Sequence, residues 1–181
     1  VVARARESVT FPARFQLVLA ANPCPCGMAY GKGLECTCQP REVRTYLSRI
    51  GGPLADRIDL QIQVAPVSLA TLNAAPGESS SVVATRVQQA RGEQGERWAP
   101  LGFRLNAEVP GRVLRRGRFA LPAEQLAELH LALDRGWLTL RGLDRCLRLA
   151  WTLADLRGAP TPTRDDIGVA VGLRGRATVA A

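Results

Sequence analysis

Four of the five cysteines in this 181-residue sequence crowd into one short stretch, Cys24-Pro-Cys26, then nine residues, then Cys36-Thr-Cys38. Four thiolates so close together can close a tetrahedral structural zinc site, although two C-x-C pairs are tighter than the usual metal-binding spacing. Reduced thiols in a metal-free loop are the other reading. In a reducing compartment the cluster points to metal rather than to disulfides. Cys146 stands apart on an apolar helix face and reads as a core residue.

Two further features could act on a phosphate. The apolar run Leu17-Val-Leu-Ala-Ala ends in Asn22-Pro23. A buried strand there would deliver an amide to its carboxyl end, where open α/β sheets bind ligands. Asn22 would then position a water or a phosphate oxygen, or else simply cap a turn. Downstream, Arg141, Arg145 and Arg148 fall at i, i+4 and i+7 on one side of a helix. A solvated face explains them, yet Arg141 sits in the first turn, where the helix dipole disfavours a cation and a bound anion would offset that cost. Taken locally, Arg57 in Asp56-Arg57-Ile58-Asp59 reads as half of an ion pair with either aspartate.

These residues need elements to hold them. Phe15, Leu17 and Leu19 alternate at strand period, and the run from Phe15 to Ala21 is apolar on both faces, as in a central strand. Ile58, Leu60, Ile62 and Val64 share one face of a second strand. Val1 to Ala5 and Ser8 to Thr10 can pair as a hairpin around Arg6 and Glu7. Residues 67–79 have linker composition. Ser79 to Ser81 can cap a helix to about Trp98 with Val83, Val87 and Ala90 on one side, before an irregular stretch through Pro110. Pro122 suits the first turn of a helix bearing Leu126, Leu129 and Leu133 and closed by Gly136. Leu140, Leu143, Leu147, Ala150 and Ala154 then follow helical spacing up to Gly158 and Pro160. A last helix begins at Thr163 with Asp165 and Asp166 in its first turn, and 177–181 form a tail.

Composition sets limits. With 46% hydrophobic residues the chain can build a core of one ordinary domain or two small ones. No run of eighteen or so apolar residues and no secretory pattern occurs, so a soluble, cytoplasmic protein without membrane contact is expected. A start at Val1 suggests a piece of something longer. The net charge of +8 favours polyanions without naming one. No GxxxxGK[ST] phosphate loop occurs, Gly31-Lys32-Gly33 fails the pattern, and no apolar strand ends in an Asp-Glu pair. Alone, the chain is not expected to hydrolyse ATP. His130, the single histidine, lies in a leucine-rich segment and is no catalytic candidate.

Several motifs, in order, resemble one family. Val2-Ala3-Arg4-Ala5, Phe11-Pro12-Ala13-Arg14-Phe15, Ala20-Ala21-Asn22-Pro23, the Cys24-Pro-Cys26-Gly pair, Leu54-Ala55-Asp56-Arg57-Ile58-Asp59-Leu60 and the run from Leu138 to Ala150 resemble the ComM/YifB group of magnesium-chelatase-like AAA+ ATPases. More distantly they resemble minichromosome-maintenance helicases. The chain departs from the pattern at Ala55, usually Leu, and at Trp151, commonly Arg.

The resemblance implies an α/β fold: residues 1–66 as the C-terminal portion of an AAA+ core, 67–110 as linker and helix, and 111–176 as an all-α helical lid. It implies Asn22 as sensor 1 and Arg57 as an arginine finger, with Arg49 in reserve. Arg141 would be sensor 2, and Arg141, Arg148 and Arg49 make up the nucleotide-binding candidates. Arg4 and Arg6, at the hairpin, would touch DNA phosphates in a central pore, and Cys24, Cys26, Cys36 and Cys38 would hold zinc. The intact protein would be a homohexameric ATPase using ATP and Mg2+ to move DNA without sequence specificity, in branch migration during natural transformation. Two rivals stand beside this: a chelatase motor subunit driving metal insertion into a tetrapyrrole, and a non-enzymatic zinc-stabilised DNA-binding module.

Overall fold

The computed structural model describes residues 1–4, 7–12 and 15–174. Its N-terminal part opens with a hairpin of β1 (Val2–Arg4) and β2 (Glu7–Val9), antiparallel, with Arg4 opposite Glu7. The expected hairpin is therefore present, while Arg6 at its turn lies outside the described residues. Among the described residues this is the whole of the sheet.

The strands expected over Phe15 to Ala21 and Ile58 to Val64 are not formed. Val18 is 80% exposed and Val64 90%. A strand takes its backbone hydrogen bonds from a neighbour, and no described strand lies alongside either stretch to supply a ladder. The period-2 pattern is present, but among the described residues it finds no partner strand.

The helices follow local signals closely. Helix α1 (Pro40–Ser48) starts with proline in its first turn, and the Glu42 carboxylate accepts the Gln39 N–H at 2.8 Å. Short α2 (Gly52–Ala55) and α3 (Leu69–Leu72) follow. Helix α4 (Ser80–Trp98) is capped by Ser79, whose hydroxyl accepts from the Val82 N–H. The expected apolar side of α4 is only partly used: Ala90, Gln94 and Trp98 are buried, whereas Val83 and Val87 in its first half are exposed. The packing surface for that first half is not provided by the elements around it.

The rest of the chain forms α5 (Gly111–Leu114), α6 (Ala127–Asp134), α7 (Leu140–Leu156) and α8 (Arg164–Leu173). Pro122 does not sit in the first helical turn of α6 as expected. Its carbonyl instead accepts from the Gln125 and Leu126 N–H groups in a turn that precedes the helix. Thr139 caps α7 and Thr163 caps α8, the latter through a reciprocal box with Asp166. Gly158, at φ +68°, takes the left-handed conformation after α7 that a side chain would oppose.

Helix α7 is the spine, packing against α8, α4 and α5. Leu143, Leu147, Ala150 and Ala154 are buried as expected, joined by Cys146 and Trp151, but Leu140 at the helix start is exposed. Trp98, Phe119 and Trp151 meet with ring centroids 4.5 to 6.1 Å apart. This aromatic group makes position 151 a core position, so a tryptophan there removes nothing from the polar face.

A buried polar network pins α4 to α7. The Trp98 indole N–H donates to Asn106 Oδ1 at 2.7 Å, and the Asn106 amide donates to Asp155 at 2.8 Å and to Thr152 at 3.0 Å. Arg97 pairs with the same Asp155, whose side chain is fully buried, while its guanidinium lies over the Trp151 ring at 4.5 Å. Removing one member leaves the others desolvated. Asp155→Ala is expected to cost about 3–5 kcal/mol, because Arg97 would remain as an unpaired charge, and Asp155→Asn distinctly less. Urea unfolding midpoints check this, and a near-wild-type midpoint for Asp155→Ala would show the network to be ornamental.

Candidate functional site

The cysteines converge. Gly27, at φ +81°, turns the chain back on itself with its N–H on the Cys24 carbonyl, and Cys36 closes a second turn onto Gly33. The four sulfurs lie within 4.8 Å of one another. Cys24 Sγ is 3.3 Å from Cys26 and 3.7 Å from Cys36, and Cys26 is 3.8 Å from Cys36. All are free thiols, and Cys24 is fully buried.

A tetrahedral zinc with Zn–S near 2.3 Å sets sulfurs roughly 3.8 Å apart, so the donor set fits such an ion in kind, number and spacing. The thiols titrate unequally. The Met28 backbone N–H, with help from Cys24 and Cys38, draws Cys26 down to about 6. Cys38 is pushed up to about 12: its hydrogen bond from the Cys26 backbone works the other way but is outweighed by Cys26 sulfur and desolvation. Cys36 is also raised, the Cys38 backbone N–H being outweighed by burial and by Cys24 and Cys26. Four thiols in this space cannot all ionise without a cation among them.

Asn22 ends no strand. It is exposed and lies against the cysteine loop, its side chain within 3.7 Å of where a Cβ on Gly27 would be. Arg49 follows α1 and lines a shallow surface depression with Arg41 and Tyr46.

The Asp56–Asp59 segment is seated on the helical part of the chain. Arg174, at the end of α8 and only 6% exposed, donates to the carbonyls of Asp56 and Ile58, both at 3.3 Å, and to the Asp56 carboxylate at 3.0 Å. Thr139 donates to that carboxylate at 3.1 Å while capping α7, and Arg141 approaches its other oxygen at 3.6 Å. Arg145 pairs with Asp59.

The local pairing expected for Arg57 is therefore wrong. Both aspartates are taken by arginines from the helices, and Arg57 is exposed, donating to its own Pro53 carbonyl at 2.7 Å. The arginine side of α7 is likewise not a plain solvated face. Arg148 donates to the Val109 carbonyl at 2.9 Å, and its burial lowers its basicity. Arg141 remains half exposed. Arg174 escaped the sequence reading, since its partners lie more than a hundred residues away and no local pattern marks it.

Residues 77–174, the helical part with Arg141 and Arg174, match the family model described as magnesium chelatase, subunit ChlI C-terminal, and residues 1–72 match that of magnesium chelatase, subunit ChlI. The chain belongs to the magnesium chelatase ChlI family. Within it, the ComM/YifB resemblance holds. The chain is 47% identical over 173 residues to the uncharacterized protein Rv2897c of Mycobacterium tuberculosis, covering 96% of this chain and 34% of that protein. It is 36% identical over 176 residues to the uncharacterized protein YifB of Escherichia coli, and 32% identical over 176 residues to the competence protein ComM of Haemophilus influenzae, covering 96% of this chain and 33% of each relative. It thus spans about a third of the length of these relatives. Among the described residues no helix is long and apolar enough to cross a membrane.

Proposed function

We propose that this chain is the finger-and-lid part of an AAA+ motor that, in the intact protein, hydrolyses ATP with Mg2+ and moves DNA as a homohexamer. The observation that carries the reading is the seating of Asp56 and Asp59 on lid arginines, which leaves Arg57 exposed between them and committed to no carboxylate among the described residues. Such a guanidinium is available to a neighbouring subunit, where it would stabilise charge on the transferring phosphoryl group. Arg141, half exposed in the first turn of α7, is the nucleotide-facing lid arginine, because Arg148 already serves the Val109 carbonyl. Asn22 orients the attacking water once its strand is paired within the whole core. Cys24, Cys26, Cys36 and Cys38 hold a structural zinc, which supplies a crosslink and no reaction step.

The DNA reading draws on the similarity to the competence protein ComM and on Arg4, presented on an exposed hairpin. Phosphate contacts of this kind give affinity without sequence preference and with strong salt dependence. Linear and forked DNA are expected to stimulate ATP turnover of the intact protein. Arg4→Ala should weaken DNA binding uniformly across sequences and lower the salt slope by about one unit. Turnover indifferent to every DNA form would sink the DNA reading and favour a chelatase-type motor.

A further inference from the structure

Arg174 makes three hydrogen bonds, and together they bracket one residue. Its Nη1 holds the Ile58 carbonyl and its Nη2 holds both the Asp56 carbonyl and the Asp56 carboxylate, so the backbone on each side of Arg57 is fixed from the end of α8. The clamp continues past the bracket, where the Gln61 N–H donates to the Leu173 carbonyl at 2.6 Å. Thr139, the cap of α7, also donates to the Asp56 carboxylate. Arg145, further along α7, takes Asp59. Two lid helices thus grip a segment that has no strand ladder of its own.

A planar guanidinium is the group suited to this work. It offers a rigid fork of donors that can satisfy three acceptors at once, whereas an ammonium on a flexible stem cannot hold the same set in one geometry. Arg174 is buried, and both of its terminal nitrogens are spent on the Asp56–Ile58 segment, so it acts through that segment rather than on a reacting group. Arg57 is exposed, and its hydrogen-bond partner at 2.7 Å, the Pro53 carbonyl, belongs to its own segment and can be given up to a neighbour.

We infer that Arg174, acting with Asp56, is the positioning residue for the Arg57 finger: it sets the direction in which the finger leaves its subunit and ties that direction to the lid. This rests on the reading of Arg57 as a finger acting on the neighbouring subunit's site. Arg141 shares the Asp56 carboxylate at 3.6 Å. A lid that moves Arg141 therefore tugs on the residue next to the finger, and occupancy of one site is passed to the next by a short mechanical route. Misplacement of a catalytic group by about 1 Å can cost on the order of a hundredfold in rate.

The test uses the full-length protein and subunit mixing. Arg174→Ala is expected to lower kcat for ATP by about a hundredfold, with KM for ATP unchanged. Because the defect would lie in what the subunit offers its neighbour, its own site stays competent. Mixing it with subunits whose phosphate-loop lysine is replaced, dead in their own sites but bearing sound fingers, should restore turnover well above the sum of the two preparations. Arg57→Ala in the same mix is the reference. If Arg57→Ala is rescued and Arg174→Ala is not, or if Arg174→Ala keeps its kcat, the positioning role is overturned. If Arg57→Ala itself hydrolyses normally or is not rescued, the finger reading fails and takes this proposal with it. Should Arg174→Ala not fold by thermal melting, Arg174→Lys carries the same test: it keeps the charge and loses the fork, so the same loss and the same rescue are expected, and undiminished kcat overturns the inference.

Discussion

Replacing Arg57 by Ala in the intact protein is expected to lower ATP turnover by about a thousandfold or more, while nucleotide affinity stays within about twofold. The size follows from position. A group that meets charge only as it develops on the transferring phosphoryl contributes to the transition state and not to ground-state binding. The structure also removes the usual confounder, loss of stability. Arg57 makes a single exposed bond to the Pro53 carbonyl, and Asp56 and Asp59 are held by Arg174, Arg141 and Arg145, so its removal orphans no buried charge. Melting within a degree or two of wild type should accompany the loss. Arg57→Lys should fail nearly as badly, since a point charge does not reproduce the fork. Steady-state turnover, nucleotide titration and melting together decide the matter, and an Arg57→Ala protein with undiminished hydrolysis would end the finger assignment.

What could be read in advance was whatever the chain encodes within a few residues. The cap at Ser79, the helix start at Thr163, the helix stop at Gly158, most of the leucine spacing of α7 and the cysteine cluster are local facts of this kind, and each is found where its pattern sits. The failures were non-local. Phe15 to Ala21 carries a strand pattern that has no ladder among the described residues, and pattern alone cannot supply a partner. Asn106 and Asp155 meet across 49 residues, and Arg174 and Asp56 across 118. Nothing near Asn106 announces Thr152 or Asp155 as its acceptors. Trp151 departs from the family's polar position because Trp98 and Phe119 surround it, neighbours that no local pattern marks. The site suffered in the same way: Arg57 was legible as chemistry, but what positions it was not.

The cysteine cluster carries the second large effect. Freshly purified protein is expected to contain about one equivalent of zinc per chain, and Cys24→Ser should remove nearly all of it, since that buried sulfur lies closest to two of the others. A structural zinc contributes apparent folding energy of about 10–16 kcal/mol in small zinc-binding peptides, far more than the few turns of residues 22–38 could supply through their own hydrogen bonds. Without metal, the depressed Cys26 and the raised Cys36 and Cys38 describe thiols competing for the right to ionise. A dication ends the competition, and the protons it displaces make binding weaken as pH falls. The consequence reaches beyond the loop. Cys38 runs straight into the Gln39 cap of α1, and α1 leads through Gly51 and α2 to Arg57, so loss of zinc should loosen the approach to the finger. Chelation is therefore expected to raise protease cleavage within 22–38 first and to depress ATP turnover with it, both restored by added zinc. Metal content far below one equivalent, or chelator-treated protein as resistant as before, would show the cluster to be four reduced thiols held together by turns alone.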